Sequence, residues 1–337
     1  MNARLRPAPR APRLGFLGVG WIGRHRMRAL REAGVGEVAA LADAQPDVLA
    51  AAADDAPAAE RVDSLDALLA CDLDGVVIAT PSALHAAQAV AALERGVAVF
   101  CQKPLARTAA EARRVVDAAR ANDRLLGVDF SYRFVAGIVP LREAILRGEL
   151  GRIYAVDLCF HNAYGPDKPW FYDVAQSGGG CVMDLGIHLV DLAEWVTGDV
   201  PGMDPVDARL YAQGRALSTP VDAVEDYAAV QWRTAAGACV RLACSWRLPA
   251  GRDAVIEAAF YGTHGGAALR NVDGSFYDFT LERFDGTRRE RLAGPPDAWG
   301  GRALVHWAER LAGGAGFDAE AERFVDVAHT IDRIYGR

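Results

Sequence analysis

Short, fully apolar runs alternate with amphipathic stretches as far as about residue 129. Leu14–Leu17, Val38–Ala42, Gly75–Ala79, Val97–Cys101 and Leu125–Val128 each lack the in-out alternation of a half-exposed strand. Runs of that length and evenness predict parallel strands buried on both faces. Helix-start signals separate them. Pro46 opens one helix, Ser64 caps a second, and Ser82 is placed to cap a third running to Arg95. Thr108-Ala-Ala-Glu111 is a capping box for a fourth, ending near Asn122. The order predicts an α/β fold, a doubly wound parallel sheet with ligands at the C-terminal ends of its strands.

After residue 150 the period changes. Arg152–Asn162 reads as a strand, a Gly- and Pro-rich loop follows, and Cys181–Thr197 has helical spacing. From Pro205 to Leu292 strands and turns follow one another without helices. Ala238, Val240, Leu242, Cys244 and Trp246 share one strand face. This predicts a mostly antiparallel, open-faced sheet, finished by a helix near Arg302–Leu311 and an amphipathic helix from Asp318 to Tyr335. The expected organisation is a disordered tail over residues 1–13, a Rossmann domain over 14–129, and an α+β domain over 130–337, one sheet face of which can pack on a helix or another subunit. No repeat or low-complexity linker intervenes, so the domains should dock tightly.

At 337 residues two domains is the natural prior. The net charge of −7 comes without a basic stripe, which disfavours nucleic acid and anionic membrane as partners. No apolar run approaches the roughly 20 residues of a membrane helix. The first 13 residues hold four arginines and three prolines but no apolar core, unlike a secretion signal. Six cysteines lie scattered without a Cys-x-x-Cys pair. They read as buried free thiols of a cytoplasmic protein.

The most informative segment is the first turn. Leu14-Gly-Phe-Leu-Gly18-Val-Gly20-Trp21-Ile22-Gly23 is a strand entering a Gly-x-Gly-x-x-Gly turn. Gly18 permits the turn, Gly20 lets a pyrophosphate approach, and Gly23 lets the next helix pack on the sheet. That helix would aim its free N–H groups and dipole at phosphate. Asp43 stands twenty residues past the last glycine, at the end of the second strand. Its carboxylate suits ribose hydroxyls and repels a 2′-phosphate, and no arginine directly follows, so NAD is expected rather than NADP.

Two further clusters carry chemistry. Lys103 follows a buried strand at the sheet edge and precedes Pro104. An ammonium there can donate to a substrate oxygen and stabilise alkoxide charge. Gly178-Gly179-Gly180 leads into a predicted helix with Asp184, His188 and Asp191 on one face. A histidine one turn from a carboxylate suits acid–base work. A histidine that merely bonds between domains is the bland alternative. A zinc site with His161 is a third reading, disfavoured because hydride transfer beside a lysine needs no Lewis acid.

Gly18/Gly20/Gly23, Ala79-Thr80-Pro81-Ser82-x-x-His85, Lys103-Pro104, Tyr132-Arg133-Phe134 and the triple-glycine segment with Asp184 and His188 occur in this order. Together they resemble the glucose–fructose oxidoreductase/inositol dehydrogenase/MocA family, over nearly the whole chain after the tail. The resemblance implies NAD(P)-dependent oxidation of a secondary alcohol on a sugar, cyclitol or related polyol. It also implies homodimers or homotetramers assembled through the C-terminal sheet. It carries over Lys103, Asp184 and His188 as the catalytic set, with His188 the proton acceptor. The cofactor would be held by Gly18, Gly20, Trp21, Ile22, Gly23, Asp43, Thr80, Pro81, His85, Gln102 and Lys103. Substrate would meet Tyr132, Arg133, His161, Trp170, Asp184 and His188. Arg133 could equally tie the domains together. One residue departs from the pattern: the family usually has Glu-Lys-Pro, and here Gln102 removes a negative charge beside the ammonium. The pH optimum is therefore expected to shift, and Gln102→Glu to shift it back. A redox-neutral NAD-dependent glycosidase or epimerase, and a non-catalytic sensor of NAD or sugar, are the alternatives.

Overall fold

The computed structural model describes residues 11–337. Most of the expected tail, residues 1–10, lies outside them. Within the described part of that tail, Arg13 already opens the first strand.

The apolar runs form a six-stranded, all-parallel sheet: β1 (Arg13–Leu17), β2 (Glu37–Ala42), β3 (Glu60–Val62), β4 (Gly75–Ile78), β5 (Ala98–Cys101) and β6 (Leu126–Val128). Their order is β3-β2-β1-β4-β5-β6, the doubly wound arrangement with its crevice beyond β1 and β4. Val76, Val77 and Ile78 are fully buried, as a strand covered on both faces requires. The edge strand β3 has the sequence Glu-Arg-Val and carries no apolar signal. Helices α1 (Trp21–Ala33), α2 (Pro46–Ala53), α3 (Leu65–Ala70), α4 (Ser82–Glu94) and α5 (Ala109–Ala121) flank the sheet. Thr108 caps α5 through the Glu111 amide at 3.2 Å. The Glu111 carboxylate, however, reaches the Arg107 amide, one residue before the box predicts. Ser82 is the first residue inside α4, and Pro81 holds the cap position without a side-chain bond.

The second sheet has nine strands: β7 (Ile153–Asn162), β8 (Asp207–Ala212), β9 (Arg215–Ala216), β10 (Tyr227–Arg233), β11 (Cys239–Ser245), β12 (Ala254–Gly262), β13 (Gly265–Asn271), β14 (Phe279–Asp285) and β15 (Arg288–Ala293). In the order β15-β14-β13-β12-β7-β11-β10-β8-β9, only β7 and β11 pair in parallel. The helix α6 (Ile138–Leu146) precedes this sheet, and the short α7 (Val174–Ser177) lies in the loop after β7. The segment Val182–Gly186 and α8 (Ile187–Thr197) cover the face on which Val156, Leu158 and Phe160 are buried.

The last two helices do not both belong to this second sheet. The helix α9 (Arg302–Ala312) returns to the first sheet, where Trp307 lies over Gly75 and Gly127. A Cβ on either glycine would come within 2.6–2.7 Å of the indole. The final helix α10 (Glu322–Tyr335) packs between α5 and α8. No described helix is long and apolar enough to cross a membrane. All six cysteines are free, but Cys71, Cys159 and Cys239 are only part-buried. Cys101, beside the crevice, is fully buried, and burial pushes its thiol far up, which leaves it unreactive.

Candidate active site

The glycine turn is built by contact. Gly18 has φ +83°, and a Cβ there would meet the Ala79 carbonyl group at 2.6 Å. A Cβ on Gly23 would lie 2.2 Å from the Gly18 oxygen. A Cβ on Gly20 would meet no atom within 4 Å. Gly20 caps α1 without any side-chain bond, so the first-turn amides have no side-chain acceptor. This open cradle fits a pyrophosphate on the helix N-terminus. Asp43 accepts the Val19 amide at 2.8 Å and the Gln45 amide at 2.9 Å. It thereby ties the turn to β2 and keeps lone pairs for ribose hydroxyls. Gly20→Val is expected to keep the unfolding midpoint and weaken NAD binding at least tenfold by calorimetry. Gly23→Val should instead destabilise the fold, because its clash is with backbone.

Around this turn, Trp21 is 70% exposed with its ring 5.8 Å from that of His25. Ile22 and Pro81 are half-buried, and Thr80 donates its hydroxyl to Gln88 at 2.6 Å. His85 requires a correction. It is buried, with Nδ1 2.7 Å from the Pro104 carbonyl and Nε2 2.7 Å from the Thr80 carbonyl. No ring nitrogen is left for a cofactor. His85 braces the Thr80-Pro81 turn against the cis Lys103–Pro104 bond.

Across the crevice Lys103 Nζ donates to Asp184 Oδ1 at 2.8 Å and to the Asp184 backbone carbonyl at 2.7 Å. Both side chains keep a little under a fifth of their surface exposed. The Trp246 indole donates to Asp184 Oδ2 at 3.0 Å. A cation and an indole thus fix both carboxylate oxygens. The α-helix expected from residue 181 begins as a π-helical turn over Val182–Gly186. The wider turn disturbs the i→i+4 ladder, and there the Asp184 carbonyl accepts the lysine. Trp246→Phe removes a hydrogen bond to a charged group. It should keep the fold and lower kcat/KM roughly 10- to 100-fold.

His188 lies one turn on. Its Nδ1 is buried without a hydrogen-bond partner. Burial first, then the charges of Lys103 and Arg26, hold its pKa well below the ordinary histidine value. Tyr132 is buried beside it, ring centroids 5.1 Å apart, within a cluster of Phe160, Phe279 and Trp299.

Three expected site residues lie elsewhere. Arg133 donates Nε to Asp191 Oδ2 at 2.8 Å and pairs through Nη2 with Oδ1. It also stacks between Phe130 and Trp195. It is a largely buried strut, and Asp191, itself buried, is spent with it. His161 stands on the opposite sheet face, bonded to Ser245 at 2.8 Å. Alternation along β7 puts Phe160 and Asn162, not His161, on the crevice face. Among the described residues no group of three or more His, Cys, Asp and Glu side chains gathers as a metal site. Trp170 stacks on Phe171 at 3.8 Å, and Phe171 and Tyr172 both meet the Trp246 ring edge-on. The loop aromatics therefore pack around the indole that holds Asp184.

The sequence reading missed Trp246 because its alternation marked it only as core. It also missed Glu225. That carboxylate is fully buried and accepts the Gly180 and Val182 amides at 2.8 Å each and the Tyr335 hydroxyl at 2.9 Å. It caps the helix that carries Asp184 and His188 in place of a neighbouring side chain. Burial pushes its pKa up to about 6, against the pull of those hydrogen bonds. Gly180 is required for this close approach, since a Cβ there would lie 1.9 Å from the Glu225 carbonyl oxygen, while a Cβ on Gly179 would strike the Tyr335 hydroxyl and one on Gly178 would strike Arg107.

A dinucleotide cradle facing a lysine–carboxylate–histidine cluster defines a nicotinamide-dependent oxidoreductase architecture. Residues 13–130 match the oxidoreductase family with an NAD-binding Rossmann fold, and residues 138–268 match the GFO/IDH/MocA C-terminal domain. The chain belongs to the GFO/IDH/MocA oxidoreductase family, and its first domain is the family's NAD-binding domain. It is 35% identical over 190 residues to the rhizopine catabolism protein MocA of Rhizobium meliloti, covering 56% of this chain and 58% of that one. The aligned region thus spans little more than half of that relative. Against the D-apiose dehydrogenase of Paraburkholderia graminis, identity is 30% over 295 residues, 87% of this chain and 74% of that one. The crystal structure of GenD2 from gentamicin A biosynthesis, in complex with NAD, superposes with a TM-score of 0.78. It is 24% identical and covers 99% of this chain and 96% of that one, a likeness of fold.

Proposed function

We propose that this protein is an NAD-dependent dehydrogenase that interconverts a secondary alcohol and a ketone on a sugar, cyclitol or related polyol. One observation carries the reading: the Lys103 ammonium is locked on Asp184 beside a part-buried His188 whose Nδ1 has no partner. Bound in the Gly20 cradle, NAD supplies the hydride acceptor. The Lys103 ammonium polarises the substrate hydroxyl and stabilises oxygen as negative charge develops on it. His188 takes the hydroxyl proton, for which its lowered pKa keeps the ring neutral. Asp184, fixed by Lys103 and Trp246, anchors a hydroxyl and balances the cation. The D-apiose dehydrogenase similarity supports a polyhydroxylated substrate.

The test is NADH absorbance with NAD and a panel of polyols, cyclitols, free sugars and nucleotide-sugars, run beside Lys103→Ala. A Lys103-dependent rise supports the dehydrogenase. Silence across the panel with NAD bound moves the weight to the redox-neutral or sensing readings. The pH profile adds a second check. A histidine with its pKa lowered in the folded state stays neutral until the pH falls below its usual range. The acid limb of kcat/KM should therefore lie well below about pH 6.5, the free imidazole value. A limb at that value would remove His188 as the proton acceptor.

A further inference from the structure

Gln102 stands where the family pattern places a glutamate, and its surroundings show where the charge has gone. Gln102 and Asp129 follow the adjacent strands β5 and β6, whose ends pair Cys101 with Val128. The Gln102 amide nitrogen donates to Asp129 Oδ2. The same oxygen takes Arg26 Nε from α1 at 2.5 Å, and Oδ1 takes the Ser131 hydroxyl. Arg26 also bonds Ser131 at 3.1 Å and faces His25 Nδ1 at 2.8 Å. Asp129 is 1% exposed, Arg26 7% and Gln102 8%. One buried carboxylate thus joins the helix of the dinucleotide turn, the residue before Lys103, and the turn that presents Tyr132. Cys101 from β5 and His25 from α1 are the other titratable groups that feel its charge.

This changes the expectation for Gln102→Glu. The Gln102 side chain is occupied by Asp129, so a glutamate would set a second carboxylate against the first. Two carboxylates sharing a site cannot both ionise cheaply.

We propose that Asp129 is a positioning residue that carries, one strand over, the negative charge the family places at residue 102, and that it aims Lys103 by holding Gln102 and Arg26. The two positions then form one exchangeable unit. Combining Gln102→Glu with Asp129→Asn would keep one buried carboxylate and one amide facing each other, with Arg26 still paired. The kinetic part of this rests on the dehydrogenase reading, whereas the stability part does not.

The experiment is a double-mutant cycle with Gln102→Glu, Asp129→Asn and the combined variant, read first by chemical denaturation. Each single change should destabilise the protein, and the double variant should recover most of the loss. The pH dependence separates the two singles. In Gln102→Glu the paired acids have folded pKa values above their unfolded ones. Its deficit should therefore be small in acid and grow as the pH rises. In Asp129→Asn the deficit comes from an unpaired guanidinium and should not change from pH 5 to pH 8. Turnover on the substrate found with the panel should drop about 100-fold in each single variant, the scale of a small misplacement of a reacting group. The drop should fall mainly on kcat, and the double variant should recover at least tenfold. Additive losses in the denaturation cycle would overturn the proposal. So would a Gln102→Glu protein as stable as wild type at pH 8. If the wild type itself turns nothing over, the dehydrogenase reading fails, while the denaturation cycle still decides the charge exchange.

Discussion

Lys103→Ala is expected to lower turnover by at least about 1,000-fold while leaving the protein folded. Removing one preorganised donor from an oxyanion-type site costs roughly 10²–10³ in kcat, and the alanine does more than that. It also frees Asp184, whose Oδ1 and backbone carbonyl both lose their partner. The carboxylate then stands uncompensated beside the position where the substrate oxygen gains charge. Lys103→Arg should recover little, because a planar guanidinium cannot reproduce a compact ammonium that bridges a carboxylate and a carbonyl. Single-turnover NADH formation with NAD affinity measured in parallel checks this. Retained turnover in the alanine variant would remove Lys103 from the chemistry.

The second large effect is on stability. Arg133→Ala should cost about 3–5 kcal/mol, the range for breaking a buried ion pair from one side. Asp191 is 1% exposed, and among the described residues Arg133 is the one group that forms an ion pair with it. Burial already raises the Asp191 pKa even with the arginine in place. An acid with a raised folded pKa favours folding at low pH, and that contribution is lost as the pH rises. The deficit of Arg133→Ala should therefore shrink as the solution is acidified toward pH 4. Replacing both partners with apolar residues should recover part of the loss. Urea denaturation from pH 4 to pH 8 is the measurement. A variant with wild-type stability and a raised KM would instead restore Arg133 as a substrate ligand.

Gln102 shows how local reading and tertiary contact divide the work. Its departure from the Glu-Lys-Pro pattern is visible in the sequence. Its consequence is not, because the partner sits 27 residues away on the next strand. The same holds for Asp184. Its place after the triple glycine marked it as a candidate, yet Trp246, which fixes its second oxygen, arrives from the end of β11. His161 failed for a simpler reason: adjacent residues of a strand point to opposite faces, and nothing local says which face the crevice occupies. Asp191 failed because its partner Arg133 comes from 58 residues earlier in the chain, which the helical spacing cannot show.

The parallel sheet, the glycine turn, Asp43 and the position of Lys103 were determined by sequence alone. The signal for each is local in the chain: apolar runs that must be buried, closely spaced glycines between a strand and a helix, a strand end followed by proline. The tertiary structure decided which charges are spent on the scaffold and which remain for chemistry. Arg133, Asp191, His85 and Glu225 all bear groups that could act on a substrate, and each is consumed by a partner that chain folding brings from elsewhere. Lys103 and Asp184 stay at the crevice, and His188 keeps a ring nitrogen without a partner. A buried polar group must be paired, and the pairing is settled only when distant elements meet.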